Sequence, residues 1–231
     1  MGLNVKNTTL IGISDLIAPH SCKSCGTVGK ALCDNCKNYI MINHQNICPN
    51  CKAIKTTPIC PKCPSLPPCF IINDRSTIIG NLIHDYKYNS IRALSYPIAE
   101  ICRDILPIFV GNVSIVPLPT ISRHIRERGF DHITKIARII AHPYQNWKVE
   151  PLLIRARQTV QVGASESERL SQAKKAYQLN SKITINPDTT YILFDDVWTT
   201  GASMKAAHKI LSNAGATKIV FLILAVSRTK N

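Results

Sequence analysis

The sequence is poor in acidic residues and in aromatic ones. It has 14 Asp and Glu against 28 Lys and Arg, and Phe, Trp and Tyr together make up 6% of its 231 residues. So few aromatic rings argue against a long stacking platform for nucleobases. The formal net charge of +14 instead indicates a surface that favours anionic partners, such as nucleic acid, nucleotides or acidic lipid.

Long apolar runs are also missing. The longest run, Ile219 to Val226, falls well short of the ~20 residues that a membrane helix needs, and it predicts a buried strand instead. We therefore expect no membrane span. The N-terminus has no basic start followed by a long apolar stretch, so it predicts no signal peptide, and we expect a cytoplasmic protein.

Eight of the ten cysteines form four Cys-x-x-Cys pairs. Without an export signal, this pattern favours thiolate metal sites in a reducing compartment over disulfides. Each pair places two sulfurs on one side of a tight turn, and two pairs complete a tetrahedral site for structural Zn²⁺. A redox role is the poorer interpretation, because it does not need four tandem copies. The predicted ligands are Cys22, Cys25, Cys33, Cys36, Cys48, Cys51, Cys60 and Cys63.

The number of zinc ions and the pairing of the cysteines stay open at this stage. The simplest pairing is sequential, with the first four cysteines on one ion and the last four on a second. An interleaved pairing and a single ion with degenerate second-site cysteines are the alternatives. We therefore expect one or two structural zinc ions. Cys69 and Cys102 lie outside the pairs, and we expect them to be small buried hydrophobic residues.

A proline-rich stretch from Pro58 to Pro68 marks the exit from the cysteine pairs and is typical of a stiff linker. It divides the chain into a cysteine-rich zinc-binding module, residues 1–68, and a second domain, residues 69–231. In the second domain predicted strands alternate with predicted helices, which indicates an α/β fold with a parallel sheet and a ligand at the carboxyl ends of its strands.

The predicted elements of the second domain follow from apolar periodicity and capping residues. Predicted strands cover residues 70–72, 113–119, 149–153, 191–194 and 218–226. Predicted helices cover residues 79–86 and 91–105, and two more begin at the N-cap Asp131 and at the capping box of Ser165 and Glu168. Residues 123–130 are predicted to form a basic loop.

The run from Tyr191 to Ser203 combines an apolar strand, two adjacent acids, a Thr-Thr-Gly loop and the start of a helix. Backbone N–H groups at a helix start converge on an anion, and the helix dipole favours negative charge there. The hydroxyls of Thr199, Thr200 and Ser203 add donors, and Gly201 lets the backbone approach closely. This half of the run therefore predicts a phosphate site.

The acids Asp195 and Asp196 supply the other half of the pattern. As ionised acceptors they can take both hydroxyls of a cis-diol. A phosphate together with a diol indicates ribose 5-phosphate. The alternative is a strand-to-helix turn in which Asp and Thr side chains merely cap the helix.

This run resembles the phosphoribosyl-diphosphate (PRPP) motif of type I phosphoribosyltransferases. With the cysteine pairs and further blocks in the same order, the chain from about residue 20 to 228 is similar to the ComF family. These are phosphoribosyltransferase-like proteins linked to DNA uptake in natural competence. The further blocks are Lys87-Tyr88, Val116-Pro117-Leu118-Pro119, Arg128-Gly129-Phe130, Thr159-x-Gln161 and Arg169.

The resemblance implies a type I phosphoribosyltransferase-like parallel sheet flanked by helices, with a small N-terminal double zinc-ribbon module. It also implies a site for PRPP and Mg²⁺. The ribose would lie on Asp195 and Asp196 and the diphosphate near Pro117, Leu118 and Arg128, with Lys87 and Arg169 as weaker candidates for the diphosphate. The residues implied for the 5′-phosphate are Thr199, Thr200, Gly201, Ala202 and Ser203. Asp131 and Gln172 depart from the family, which usually has Asn at both places.

Two functions fit these features. In the first, the protein binds PRPP or a related ribose phosphate and handles single-stranded DNA during natural transformation, with competence-machinery proteins as further candidate partners. In the second, it is an active phosphoribosyltransferase that displaces diphosphate from PRPP with a nitrogenous base. The sequence shows no acceptor pocket and names no catalytic residue or base. It shows no helix-turn-helix either, which disfavours a transcription regulator.

Overall fold

A computed structural model describes residues 20–155, 177–181 and 183–227. Several predictions fall on other parts of the chain. They are the capping box of Ser165 and Glu168, the block Thr159-x-Gln161, and the positions Arg169 and Gln172. Within the described residues, no helix combines the length and the apolar character needed to cross a bilayer.

The described residues form nine strands and six α-helices, and a 3₁₀ turn (Arg92–Leu94) precedes the third helix. The strands are β1 (His20–Ser21), β2 (Val28–Gly29), β3 (Cys69–Asp74), β4 (Val113–Pro117), β5 (Trp147–Val149), β6 (Leu153–Arg155), β7 (Tyr177–Leu179), β8 (Thr190–Trp198) and β9 (Lys218–Val226). The helices are α1 (Asp34–Ile42), α2 (Ile78–Tyr88), α3 (Ser95–Ile105), α4 (Ser122–Arg128), α5 (His132–Ala141) and α6 (Ala202–Asn213).

The centre of the fold is a parallel sheet of five strands in the order β3-β9-β8-β4-β5. Helices cover both faces of it: α2, α3 and α5 pack on one face, and α6 packs on the other. A parallel sheet buried on both faces needs strands that are apolar throughout, which explains the continuous run in β9. The predicted α/β class with a parallel sheet is therefore confirmed.

The strand order places a topological switch point between β4 and β8. The chain leaves β4 through α4 and α5 towards β5, and it leaves β8 through α6 towards β9, so the two connections run in opposite directions. Ligands of open α/β sheets bind in the crevice at such a point, outside the carboxyl ends of the strands. Pairing of β8 with β4 ends at Phe194, so Asp195 and Asp196 lie just beyond it, at this crevice.

The cysteine-rich segment covers β3, which is an edge strand of the sheet. The carbonyl of Pro58 accepts from the backbone N–H of Cys69 at 3.0 Å, and His44 Nε2 lies 2.8 Å from the carbonyl oxygen of Ile71. The buried Lys55 ammonium donates to the Cys69 carbonyl at 2.9 Å, and burial lowers the pKa of Lys55. Backbone groups on an exposed edge invite pairing with another chain. Here the segment before β3 occupies them.

Two predicted elements differ from the structure. Residues predicted as a basic loop form α4, which ends at Gly129 in a left-handed conformation with φ of 74°. No residue of α4 is buried, so the sequence carries no apolar periodicity that could reveal this helix. The strand predicted for residues 149–153 is divided between β5, which ends at Val149, and β6, which begins at Leu153 and pairs with β7.

Candidate functional site

The eight paired cysteines form two compact groups. One consists of Cys22, Cys25, Cys33 and Cys36, and the other consists of Cys48, Cys51, Cys60 and Cys63. All sulfurs within a group lie within 4.8 Å of one another, and the sulfurs of Cys25 and Cys33 are 3.6 Å apart, as are those of Cys51 and Cys60. Four sulfurs at ~2.3 Å from a tetrahedral Zn²⁺ are about 3.8 Å apart. Both groups therefore fit zinc, and the structure favours the sequential pairing.

Hydrogen bonds to the sulfur favour the thiolate form of one exposed cysteine in each group. A hydrogen bond with Thr27 lowers the pKa of Cys25 to about 6, and the backbone N–H of Ala53 lowers the pKa of Cys51 to about 7. The thiolate is the form that binds metal. Four protein ligands leave no open position, so zinc in either group would be structural rather than catalytic. Cys69 and Cys102 lie outside the groups and are buried, as predicted.

We expect about two zinc ions per purified chain, as measured by elemental analysis. Replacing Cys51 by Ser removes one ligand from the second group, so the variant should retain about one ion. Cys102→Ala serves as the matched control, because Cys102 is a cysteine outside both groups, and it should retain both ions. A wild-type chain without zinc, or equal loss of zinc in the two variants, would contradict the assignment.

Asp196 is a buried carboxylate with two partners from other elements. Its Oδ2 lies 2.5 Å from Nζ of Lys87, on α2, and 2.5 Å from Nε2 of His132, on α5. Burial alone would raise the pKa of Asp196. The hydrogen bond with His132 and the charge of Lys87 outweigh burial and hold this pKa well below its usual range. Asp196 is therefore a carboxylate anion at neutral pH.

Asp195 lies in a different environment from Asp196, because neighbouring residues of a strand point to opposite faces of the sheet. Its Oδ1 accepts from the backbone N–H of Asp196 at 2.9 Å. Burial, reinforced by the charge of Asp196, raises the pKa of Asp195 to about 8. The pKa values of the two adjacent acids are thus shifted in opposite directions.

The loop after the acids joins β8 to the first turn of α6, as predicted. Thr199 and Thr200 are exposed, and the Thr200 hydroxyl accepts from the backbone N–H of Ala202 at 3.3 Å. Gly201 has φ of 74°, and a Cβ at this position would lie 2.0 Å from the ring of Trp198. Only glycine fits there. Trp198 is 2% exposed, so its ring packs in the core and is not available to stack on a ligand.

The structure brings most of the predicted site residues to the carboxyl end of β8. Lys87 contacts Asp196 directly, and Pro117 and Leu118 lie beside Phe194, because Pro117 pairs with it and the Leu118 N–H donates to its carbonyl at 2.9 Å. The loop residues Thr199 to Ser203 follow at the same end. Asp131, predicted as a helix cap, accepts from the backbone N–H of Thr134 at 3.2 Å and caps α5.

Arg128 makes contacts that the sequence did not predict. Its guanidinium donates to Nδ1 of His132 at 3.0 Å and lies over the ring of Tyr88, with 5.6 Å between the Arg128 Cζ atom and the ring centroid. The Arg128 guanidinium therefore contacts His132 and Tyr88 and does not lie free in the crevice. The sequence alone does not identify His132 as a site residue. Its one signal is its spacing: it shares the core-facing side of α5 with Ile136 and Ile140.

A comparison of the chain with protein-family models gives no match, and a comparison with curated proteins gives none either. The guide to the function of the site is therefore its own chemistry. That chemistry comprises two carboxylates of unlike charge state, one lysine on the ionised member, a glycine turn and a helix N-terminus at the same strand end.

We expect the raised pKa of Asp195 to make the protein less stable as pH rises. Between the ordinary value of 3.8 and about 8, the folded state keeps a proton that the unfolded state has lost, so the free energy of unfolding falls across this window. Asn at this position stays neutral. In urea unfolding from about pH 5 to about pH 9, Asp195→Asn should therefore gain stability relative to wild type as pH rises.

Asp196→Asn is the matched control at the neighbouring position. The pKa of Asp196 is lowered in the folded state, so its charge stabilises the protein above the unfolded pKa, and its removal should destabilise the chain at neutral pH. Stability curves of wild type and Asp195→Asn that run parallel over the whole range would show that Asp195 titrates normally.

Proposed function

We propose that the chain binds a ribose 5-phosphate group, as PRPP or a related ribose phosphate, at the carboxyl end of β8. The observation that supports this proposal is which carboxyl oxygens of Asp195 and Asp196 make hydrogen bonds. Asp195 engages Oδ1 with the Asp196 N–H, and Asp196 engages Oδ2 with Lys87 and His132. Within the described residues, the other oxygen of each acid makes no hydrogen bond. One carboxyl oxygen of each acid thus remains for the two hydroxyls of a vicinal diol, which can both donate and accept.

The phosphate half of the proposal rests on the turn that follows the acids. α6 begins at Ala202, whose backbone N–H donates to the exposed Thr200 hydroxyl at 3.3 Å, and the exposed Thr199 hydroxyl lies in the same turn. A helix N-terminus favours an anion through its free N–H groups and its dipole. Gly201 and Ser203 complete the cradle in this proposal. A sugar over the strand end would join the cradle to the acids.

The diphosphate of PRPP would extend towards Pro117 and Leu118, at the switch point between β4 and β8. Bound Mg²⁺ would neutralise part of its charge. One N–H of Arg128 donates to His132, and the Arg128 guanidinium lies over the Tyr88 ring. In this proposal Arg128 therefore acts on the site through His132. Lys87 is the cation nearest to the acids, and it is 15% exposed.

The ComF-like interpretation adds single-stranded DNA and competence-machinery proteins as partners. Its physical support is the net charge of +14 and the exposed basic side chains of α4, which include Arg123 and Arg126. Salt-dependent binding of single-stranded DNA decides this part, and its absence would exclude it.

The second candidate, a phosphoribosyltransferase, is favoured by the position of the acids beside the switch point between β4 and β8, where an open α/β sheet has its ligand crevice. In such a reaction a base nitrogen forms a bond to C1 of the sugar while the bond from C1 to the diphosphate oxygen breaks. Release of diphosphate from PRPP in the presence of a panel of nitrogenous bases separates an enzyme from a binding protein.

We expect calorimetric titration to show binding of ribose 5-phosphate and, with Mg²⁺, of PRPP. 2-Deoxyribose 5-phosphate lacks one hydroxyl of the diol and should bind about tenfold more weakly or worse, because a carboxylate oxygen then loses its partner. The double variant Asp195→Ala/Asp196→Ala should lose ribose 5-phosphate binding.

Asp188→Ala is the control for this titration, because Asp188 is an exposed acid just before the opposite end of β8. It should bind ribose 5-phosphate like wild type. The proposal fails if the wild-type chain binds neither ligand, or if the double variant and the control bind with the same affinity.

A further inference from the structure

His132 lies where charged groups from three other elements meet. Asp196 of β8 and Arg128 of α4 contact its two ring nitrogens, and Lys87 of α2 contacts the same Asp196 oxygen. The side chain is 5% exposed, and the Tyr86 hydroxyl donates to its carbonyl oxygen at 2.9 Å. Each ring nitrogen of this buried side chain therefore contacts a charged side chain.

The contacts of the ring fix its protonation pattern. A guanidinium has only donors, so Nδ1 of His132, at 3.0 Å from Arg128, must be the acceptor. The proton of the neutral ring then lies on Nε2 and is donated to Oδ2 of Asp196. A second proton on Nδ1 would face the guanidinium and place two donors and two positive charges against each other. Lys87 is thus the lysine that pairs with Asp196, and His132 adds a donor on Nε2.

We propose that His132 is a positioning residue of the diol site. In the Nε2–H form set by Arg128, it joins Lys87 in occupying Oδ2 of Asp196 and so turns Oδ1 towards the ligand. This inference rests on the proposed function for the identity of the ligand. The protonation pattern of the His132 ring is independent of the proposed function, because it is a property of the ligand-free protein.

Two side chains distinguish positioning from mere packing at residue 132. Glutamine carries an acceptor and a donor on one planar amide, so it can accept from Arg128 and donate to Asp196 as the imidazole does. Leucine fills a similar volume and can do neither. If His132 only packs, the leucine variant should behave like wild type. If His132 positions Asp196, the glutamine variant should behave like wild type and the leucine variant should not.

The first experiment is ¹⁵N NMR of the full-length, ligand-free chain labelled at histidine, with the His132 signals assigned from their loss in His132→Gln. We expect a bare Nδ1 and a protonated Nε2. Arg128→Met should abolish this preference, because Nδ1 then loses its donor. A proton on Nδ1 in the wild-type chain would overturn the inference.

The second experiment compares the affinity for ribose 5-phosphate and for inorganic phosphate. His132→Leu should bind ribose 5-phosphate about tenfold to a hundredfold more weakly than wild type, with phosphate binding unchanged, since a hydrogen bond to a charged group is lost. His132→Gln should stay within about threefold of wild type. His142→Leu, an exposed histidine at the end of the same helix, is the control. Wild-type affinity in His132→Leu would overturn the inference.

A third readout keeps the inference separate from the proposed function. The ¹³C signal of the Asp196 carboxyl in the ligand-free chain should titrate at higher pH in His132→Leu than in wild type, and His132→Gln should restore it. If wild type binds no ribose 5-phosphate, the proposed function fails, and the two NMR measurements alone decide the role of His132. An unchanged Asp196 titration in His132→Leu would overturn it.

Discussion

A carboxylate buried at the end of β8 is the constraint on which much of this structure depends. Asp196 is 8% exposed, and an unpaired charge in such a place would destabilise the fold by about 3–5 kcal/mol. Its partners Lys87 and His132 belong to α2 and α5, which pack on the same face of the sheet. The ion pair with Lys87 and the hydrogen bond with His132 therefore link both helices to β8. Arg128 extends the same arrangement to α4.

The second cysteine group contributes to the candidate site through the opposite face of the sheet. Cys48, Cys60 and Cys63 share a core with Trp198 and Met204, the residues that anchor the turn and the first part of α6. Asn50 bridges the two regions: it donates to the Cys63 sulfur at 3.5 Å and accepts from Lys205 at 3.0 Å. A cation in the second group would therefore stabilise the helix N-terminus as well as its own ligands.

The sequence predicts what depends on local pattern. The apolar strands, the cysteine pairs, the Asp131 cap and the strand–turn–helix at Asp195 all follow from spacing and residue type. It cannot predict α4, because a helix without buried residues has no apolar face. Nor can it predict that His132 meets Asp196, since that contact joins residues 64 positions apart and exists only once α5 packs on the sheet. The phosphoribosyltransferase-like fold and the diphosphate contacts stay predictions.

In the proposed ribose phosphate site, the unlike states of the two acids would let one site accept a neutral diol and a charged ligand. Asp196 is held ionised by Lys87 and His132, so it can only accept. Asp195, whose pKa is raised by burial and by the charge of Asp196, keeps a proton to higher pH and can bond a sugar hydroxyl in either form, because a hydroxyl both donates and accepts. A cation arriving with a diphosphate would favour the ionised form of Asp195. The charge of the site would then follow the charge of its ligand, whereas a pair of permanently ionised acids would repel the diphosphate.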